Sequence, residues 1–146
     1  MKYYLAYGSN MNFKQMKERC PDARFLKRAY LEGYRFVYDG YSKTRKGAVA
    51  NIVEAEGKEV WGGLFEVSEE CIKSLDHYEG YPISYKRKVL TVKDDEGNEY
   101  EAIVYLREPQ QKGKPSEEYR KMVLEGAKDC GLPEEYIKQY LEADYG

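Results

Sequence analysis

The stretch Tyr3-Tyr4-Leu5-Ala6-Tyr7-Gly8-Ser9-Asn10-Met11 opens as an apolar, aromatic strand and halts at a glycine. Beyond it, Phe13 and Met16 are spaced for one helix face and Pro21 follows, which predicts a helix from about Asn12 to Cys20. Gly8-Ser9-Asn10 is therefore a tight strand-to-helix turn. Glycine lets a ligand approach the main chain, and amides at a helix entrance lack an intrahelical partner. Such a turn favours an anion, either a carboxylate or a developing oxyanion. Taken alone, Gly-Ser-Asn in this place is ordinary turn chemistry. A functional reading needs a second group elsewhere in the chain.

Working outward, Arg24–Leu31 and Tyr34–Asp39 read as two strands broken near Glu32-Gly33. Gly40–Gly47 is polar and basic and reads as a loop. Ala48–Ala55 is a further strand, a turn is expected at Glu56-Gly57-Lys58, and Val60–Val67 is a buried strand with paired glycines. Ser68 suits the cap of a short helix reaching about His77, with Glu69 and Glu70 in its first turn and Cys71, Ile72 and Leu75 buried. Tyr85–Lys93 and Glu99–Leu106 form a hairpin around Asp94-Asp95-Glu96-Gly97-Asn98. Ser116 caps a helix through Tyr119, Met122, Val123, Ala127 and Cys130, and Gly131 stops it. Pro133 starts the last helix, which buries Tyr136, Ile137, Tyr140 and Leu141. Strands fill the middle and helices the end. The expected fold is a single α+β domain over residues 1–146, a curved sheet or small mixed β-barrel flanked by helices.

The chain has 146 residues and a formal net charge of −2, which argues against a dedicated nucleic-acid binder. Lys43, Arg45 and Lys46 form one short basic cluster, read as a solvated loop. No apolar run approaches the length that spans a bilayer and no signal peptide is evident, so the expected location is the cytoplasm. Cys20, Cys71 and Cys130 are widely spaced and read as three free, mostly buried thiols. Tyrosine is abundant, 16 residues against four phenylalanines. Such rings suit core edges and interfaces, and a few could line a polar pocket.

Most catalytic arrangements are missing. The single histidine, His77, lies six positions from Cys71, a spacing that does not place two side chains on one helix face. Ser9 lacks the flanking glycines of a nucleophile elbow. No ligand-spaced cluster suggests a metal, no phosphate loop is present, and no cofactor is expected. Glu79 differs. It sits just past the end of a helix, beside Gly80, among Tyr78, Tyr81 and Tyr85, where the helix dipole and partial burial both raise a carboxyl's pKa toward the range of proton shuttling. Read locally, it is a solvated glutamate at a helix end. Tyr85 and Tyr105 on the hairpin arms, with Tyr119, are the candidates for a hydroxyl that bonds Glu79 or the polar head of a substrate.

Tyr7-Gly8-Ser9-Asn10 together with Leu75-Asp76-x-x-Glu79-Gly80 resembles the gamma-glutamylcyclotransferase family. Ala50-Asn51-Ile52-Val53, Val60-Trp61-Gly62, Glu118-Tyr119-Arg120-Lys121 and Gly126–Pro133 with Tyr136 resemble its branch acting on gamma-glutamyl amino acids, in the same order along nearly the whole chain. Met11 stands where a leucine is common. The resemblance implies a small barrel flanked by helices and, in some members, a homodimer. It implies that Glu79 is the catalytic glutamate, and that Tyr4, Leu5, Ala6, Tyr7, Gly8, Ser9 and Tyr119 match substrate-contacting positions; the amides of Gly8-Ser9-Asn10 would hold an anion. The implied reaction converts a small gamma-glutamyl substrate to 5-oxoproline by internal attack of its α-amine, without metal or covalent intermediate. A gamma-glutamylamine cyclotransferase and a catalytically silent small-acid binding module of the same fold are the alternatives.

Overall fold

A computed structural model describes residues 2–142. Five strands close into a barrel: β1 (Lys2–Ala6), β2 (Arg24–Ser42), β3 (Gly47–Val67), β4 (Lys86–Lys93) and β5 (Glu99–Leu106), in the order β1-β3-β2-β4-β5. Each neighbouring pair is antiparallel except β5 on β1, which closes the ring in parallel through Tyr3↔Ala102 and Tyr4↔Ile103. Leu5, Leu31, Phe36, Ile52, Val60, Leu64, Val92 and Val104 are buried in one continuous core.

The expected pairs of short strands are two long ones, β2 and β3, that run through the predicted breaks. Pairing passes from Glu32↔Glu59 directly to Tyr34↔Glu54, so Gly33 alone lies opposite residues 55–58. The turn signals at Gly33 and Gly57 are thus spent on a bulge. A bulge bends the strand and raises its twist, which is how strands this long stay within a small barrel. The predicted β4–β5 hairpin forms in register from Lys86↔Leu106 to Lys93↔Glu99.

The helices hold one mouth of the barrel. A 3₁₀ turn, Ser9–Met11, leads from β1 into α1 (Phe13–Arg19). α2 (Glu69–Glu79) follows β3 and is capped by Ser68, whose Oγ accepts from the Cys71 amide at 3.1 Å. α3 (Glu117–Asp129) packs on the 3₁₀ turn at Gly126, where a Cβ would stand 2.4 Å from the Asn12 nitrogen. The α3 backbone and side chains also hold that segment, through Asn12 Nδ2 to the Met122 carbonyl and the Phe13 amide to Asp129 Oδ2. The last helix, α4 (Glu134–Tyr136), passes into a π-helical turn over Ile137–Leu141 and buries Tyr136, Ile137 and Leu141 as expected, while Tyr140 is only half-buried. Among the described residues no helix is long and apolar enough to cross a membrane.

The expectation of three free thiols is corrected. Cys20, at the end of α1, and Cys71, in the first turn of α2, form a disulfide; Cys130 is free and buried. Spacing in sequence hid the pair because β2 and β3 lie between the two helices it joins. Ser74 Oγ adds a hydrogen bond to the Arg19 carbonyl at 2.6 Å, so the ends of α1 and α2 are locked together.

Candidate active site

β1 delivers its carboxyl end to a cavity of about 960 Å³ at the helix-bearing mouth. Tyr4, Leu5, Tyr7, Gly8, Ser9, Asn10, Glu79, Tyr85, Tyr105 and Tyr119 all line it, so the structure brings together every expected site residue but Ala6. Ala6 is buried behind the wall, its carbonyl facing Gly62.

The turn differs from the expectation in two respects. The entrance of α1 is already satisfied: Asn12 Oδ1 accepts from the Gln15 amide and Asp129 takes the Phe13 amide. The leading amides of the 3₁₀ turn, at Ser9 and Asn10, are the ones without an intraturn partner at the cavity. Gly8 has a φ of −119°, so a left-handed backbone is not what requires glycine. Space is: a Cβ there would stand 2.9 Å from Ala50 Cβ and 3.6 Å from the Tyr119 hydroxyl. Asn10 is buried at the centre of the turn, its Nδ2 donating to Tyr4 Oη at 3.0 Å and its Oδ1 accepting from Gln15 Nε2 and Arg19 Nη1 at 2.9 and 3.0 Å.

Glu79 is carried by the last turn of α2, which Gly80 ends with a φ of 67°. One turn earlier, Asp76 accepts from Tyr105 Oη at 2.6 Å and is ion-paired with Arg87. Residues three apart share a helix face, so this clamp onto β5 and β4 also aims Glu79 into the cavity. The Glu79 carboxyl makes no hydrogen bond or ion pair among the described residues. Enclosure by the cavity wall pushes its carboxyl up to about 7, against the opposing pull of Arg19, Arg107 and Arg45. That value suits a group that must both accept and return a proton near neutrality.

Among the described residues no tyrosine hydroxyl bonds the Glu79 carboxyl. Tyr7 donates to the Tyr105 carbonyl at 2.6 Å, and Tyr85 donates to the Ala50 carbonyl at 2.5 Å while accepting from Arg107. Tyr119 Oη accepts from the Ala50 amide at 3.1 Å, which leaves its own proton to donate into the cavity. Burial raises the pKa of Tyr4, Tyr7, Tyr85 and Tyr119, so all four are neutral donors. Tyr119→Phe removes one neutral hydrogen bond, and KM is expected to rise several-fold, equivalent to about 1 kcal/mol, with little change in kcat. Steady-state kinetics check this; a KM equal to the parent's assigns Tyr119 to packing alone.

Sequence reasoning missed three guanidiniums. Arg107 is committed, pairing with Asp39 at 2.6 Å and stacking over the Tyr85 ring. Arg19 bonds Asn10 and lies 4.2 Å from the Tyr78 ring centroid. Arg45, expected in a solvated basic loop, turns inward to bond Gln15 Oε1 at 2.8 Å and cover the Tyr119 ring. Arg19 had one available signal, its place at the end of the helix leading from the turn; Arg45 had none, because the loop's reach depends on the β2–β3 register.

These features define a class: a small closed barrel whose mouth encloses a tyrosine-lined polar cavity with one carboxyl held near neutrality. The model of the AIG2-like family matches residues 59–140. The gamma-glutamylcyclotransferase of Bos taurus is 34% identical over 141 residues, covering 93% of this chain and 75% of the relative. That of Homo sapiens is 33% identical over 138 residues, covering 91% and 73%. A solved structure titled gamma-glutamyl cyclotransferase superposes with a TM-score of 0.91 at 32% identity, covering 98% of this chain and 87% of that one. The chain belongs to the gamma-glutamylcyclotransferase family of enzymes.

Proposed function

We propose that residues 1–146 act as one catalytic domain that closes a gamma-glutamyl amino acid to 5-oxoproline and releases the free amino acid, with Glu79 as general acid and base. The observation that carries this reading is the Glu79 carboxyl, without a hydrogen bond or ion pair among the described residues and held up to about 7 in the same cavity as the Ser9–Met11 turn. The substrate supplies both reacting groups. Glu79 takes a proton from the α-ammonium; the freed amine attacks the γ-carbonyl carbon and a tetrahedral oxyanion forms. The protonated Glu79 then gives its proton to the departing nitrogen as the scissile C–N bond breaks; the ring nitrogen sheds its second proton to the same carboxylate, and that proton leaves with the free amino acid as its ammonium.

A well-oriented internal attack is worth an effective molarity of order 10⁵ M or more, so holding the bent conformer is the protein's main task. Leu5, Tyr7 and the turn form one wall for it, and Tyr85, Tyr105 and Tyr119 supply others. The Ser9 and Asn10 amides, with Arg19 beside them, stabilise negative charge on the substrate. Incubating the purified protein with a panel of gamma-glutamyl dipeptides and gamma-glutamylamines and assaying 5-oxoproline tests the reaction. Product from at least one member is expected. No product from any member leaves a small-acid binding module of the same fold.

A further inference from the structure

Among the described residues, Arg19 and Arg45 line the cavity without forming an ion pair, and they occupy different places. Arg19 is anchored to Asn10 of the turn and sits against Tyr78, the residue before Glu79, so it belongs to the reacting centre. Arg45 comes from the other side. It is carried by the tight turn between β2 and β3, where Tyr41 is exposed and where Ser42 and Thr44 line the cavity rim. Its guanidinium is only half-buried and is oriented by neutral groups alone: Nη2 donates to Gln15 Oε1 at 2.8 Å, Nη1 lies 3.8 Å from the Met122 sulfur, and the plane stands 5.2 Å from the Tyr119 ring centroid. None of the ion pairs among the described residues includes Arg45. A guanidinium held in place but not neutralised has free donors in a fork that fits a carboxylate.

With the gamma-glutamyl part and the scissile amide seated between the turn and Glu79, the departing amino acid leads away from that centre toward the rim. We infer that Arg45 is a specificity-determining residue that binds the carboxylate of the departing amino acid, with Gln15 and the Tyr119 ring holding its guanidinium in position. The inference rests on the reaction proposed above and adds to it the residue that separates amino-acid leaving groups from simple amines. Nothing in this role moves a proton; Arg45 acts on binding and on the pose of the scissile bond.

The test is a matched pair of substrates, gamma-glutamyl-alanine and gamma-glutamyl-ethylamine, which differ only by the carboxylate of the leaving group. The parent is expected to favour the dipeptide. In Arg45→Met, which keeps the length of the apolar stem, the ratio of the two kcat/KM values is expected to fall by about 10- to 100-fold, the worth of one charge-assisted hydrogen-bonded contact. Arg45→Lys should restore part of the ratio, since it keeps charge but loses the fork. An unchanged ratio in Arg45→Met overturns the inference, as does an equal loss on both substrates, which would place Arg45 on the gamma-glutamyl part. In either case parent turnover would leave the proposed reaction standing. Failure of the parent on both substrates overturns the reaction and the inference together. The turn bearing Arg45 is exposed, and circular dichroism of the variant verifies that it folds.

Discussion

Glu79→Gln is expected to lose activity and gain stability at the same time. Glutamine keeps the size of the side chain but cannot exchange a proton near neutral pH. General acid–base groups contribute about 10²–10⁴-fold, so kcat should fall by at least that order. Binding of a product or substrate analogue should change by about tenfold or less, or 1.4 kcal/mol. Glu79→Asp should be nearly as poor, because a one-methylene retraction misplaces the carboxylate. Stability moves the other way. Enclosure raises the folded carboxyl from its ordinary value to about 7, so the contribution of its protonated form is fully present below the unfolded value of 4.5 and is lost as pH rises through 7. Above that, the parent carries an ionised group that its surroundings disfavour, and glutamine removes it. Urea unfolding at pH 8 should find the variant more stable by about 1–3 kcal/mol, with the gap closing by pH 4.5. A kcat within a few-fold of the parent, with folding intact, would falsify the assignment of Glu79.

The second large effect concerns Gly8. The turn is seated against Ala50 of β3 and under Tyr119 of α3, with no room for a side chain on that face. A valine there brings two further carbons against both neighbours. Either the turn moves or β3 and α3 do, and each of these carries part of the cavity wall. Gly8→Val should cost about 1–3 kcal/mol of stability through overpacking. It should lower kcat/KM by about 10²-fold or more, because displacements near 1 Å at a site that works by positioning are that costly. Gly8→Ala, with a single contact at 2.9 Å to relieve, should be milder on both counts. Denaturant midpoints and kinetics on the two variants check this. Unchanged turnover and affinity in Gly8→Val would remove the turn from the mechanism.

Local chemistry made much of this molecule legible. Ser68, Ser116, Gly80 and Gly131 mark helix ends by hydrogen bonds and backbone angles that a sequence displays, and the β4–β5 hairpin follows from its turn residues. Gly33 and Gly57 were visible as breaks but not as the two sides of one bulge, because bulges are set by pairing between strands. The site divides in the same way. Gly8, Ser9, Asn10 and Glu79 stood out through turn and helix-end chemistry and through the ordered motifs of the family. Arg45, and Asp76 as the clamp that aims Glu79, depend on which loop crosses which barrel mouth, and no spacing encodes that. The Cys20–Cys71 disulfide joins two helices that the β2–β3 pairing at Arg24↔Glu66 brings together.

The proton shuttle is the centre of this account, and the pH dependence of kcat/KM tests it most directly. For gamma-glutamyl-alanine, kcat/KM reports groups of the free protein and free substrate, so Glu79 must be ionised at the outset to receive the ammonium proton. With its carboxyl held up to about 7, activity should rise about tenfold per pH unit below that point and level off above it. A profile that is flat from pH 5.5 to 8, or one whose rising limb lies near the ordinary carboxyl value of 4.5, would contradict Glu79 as the group that moves the proton.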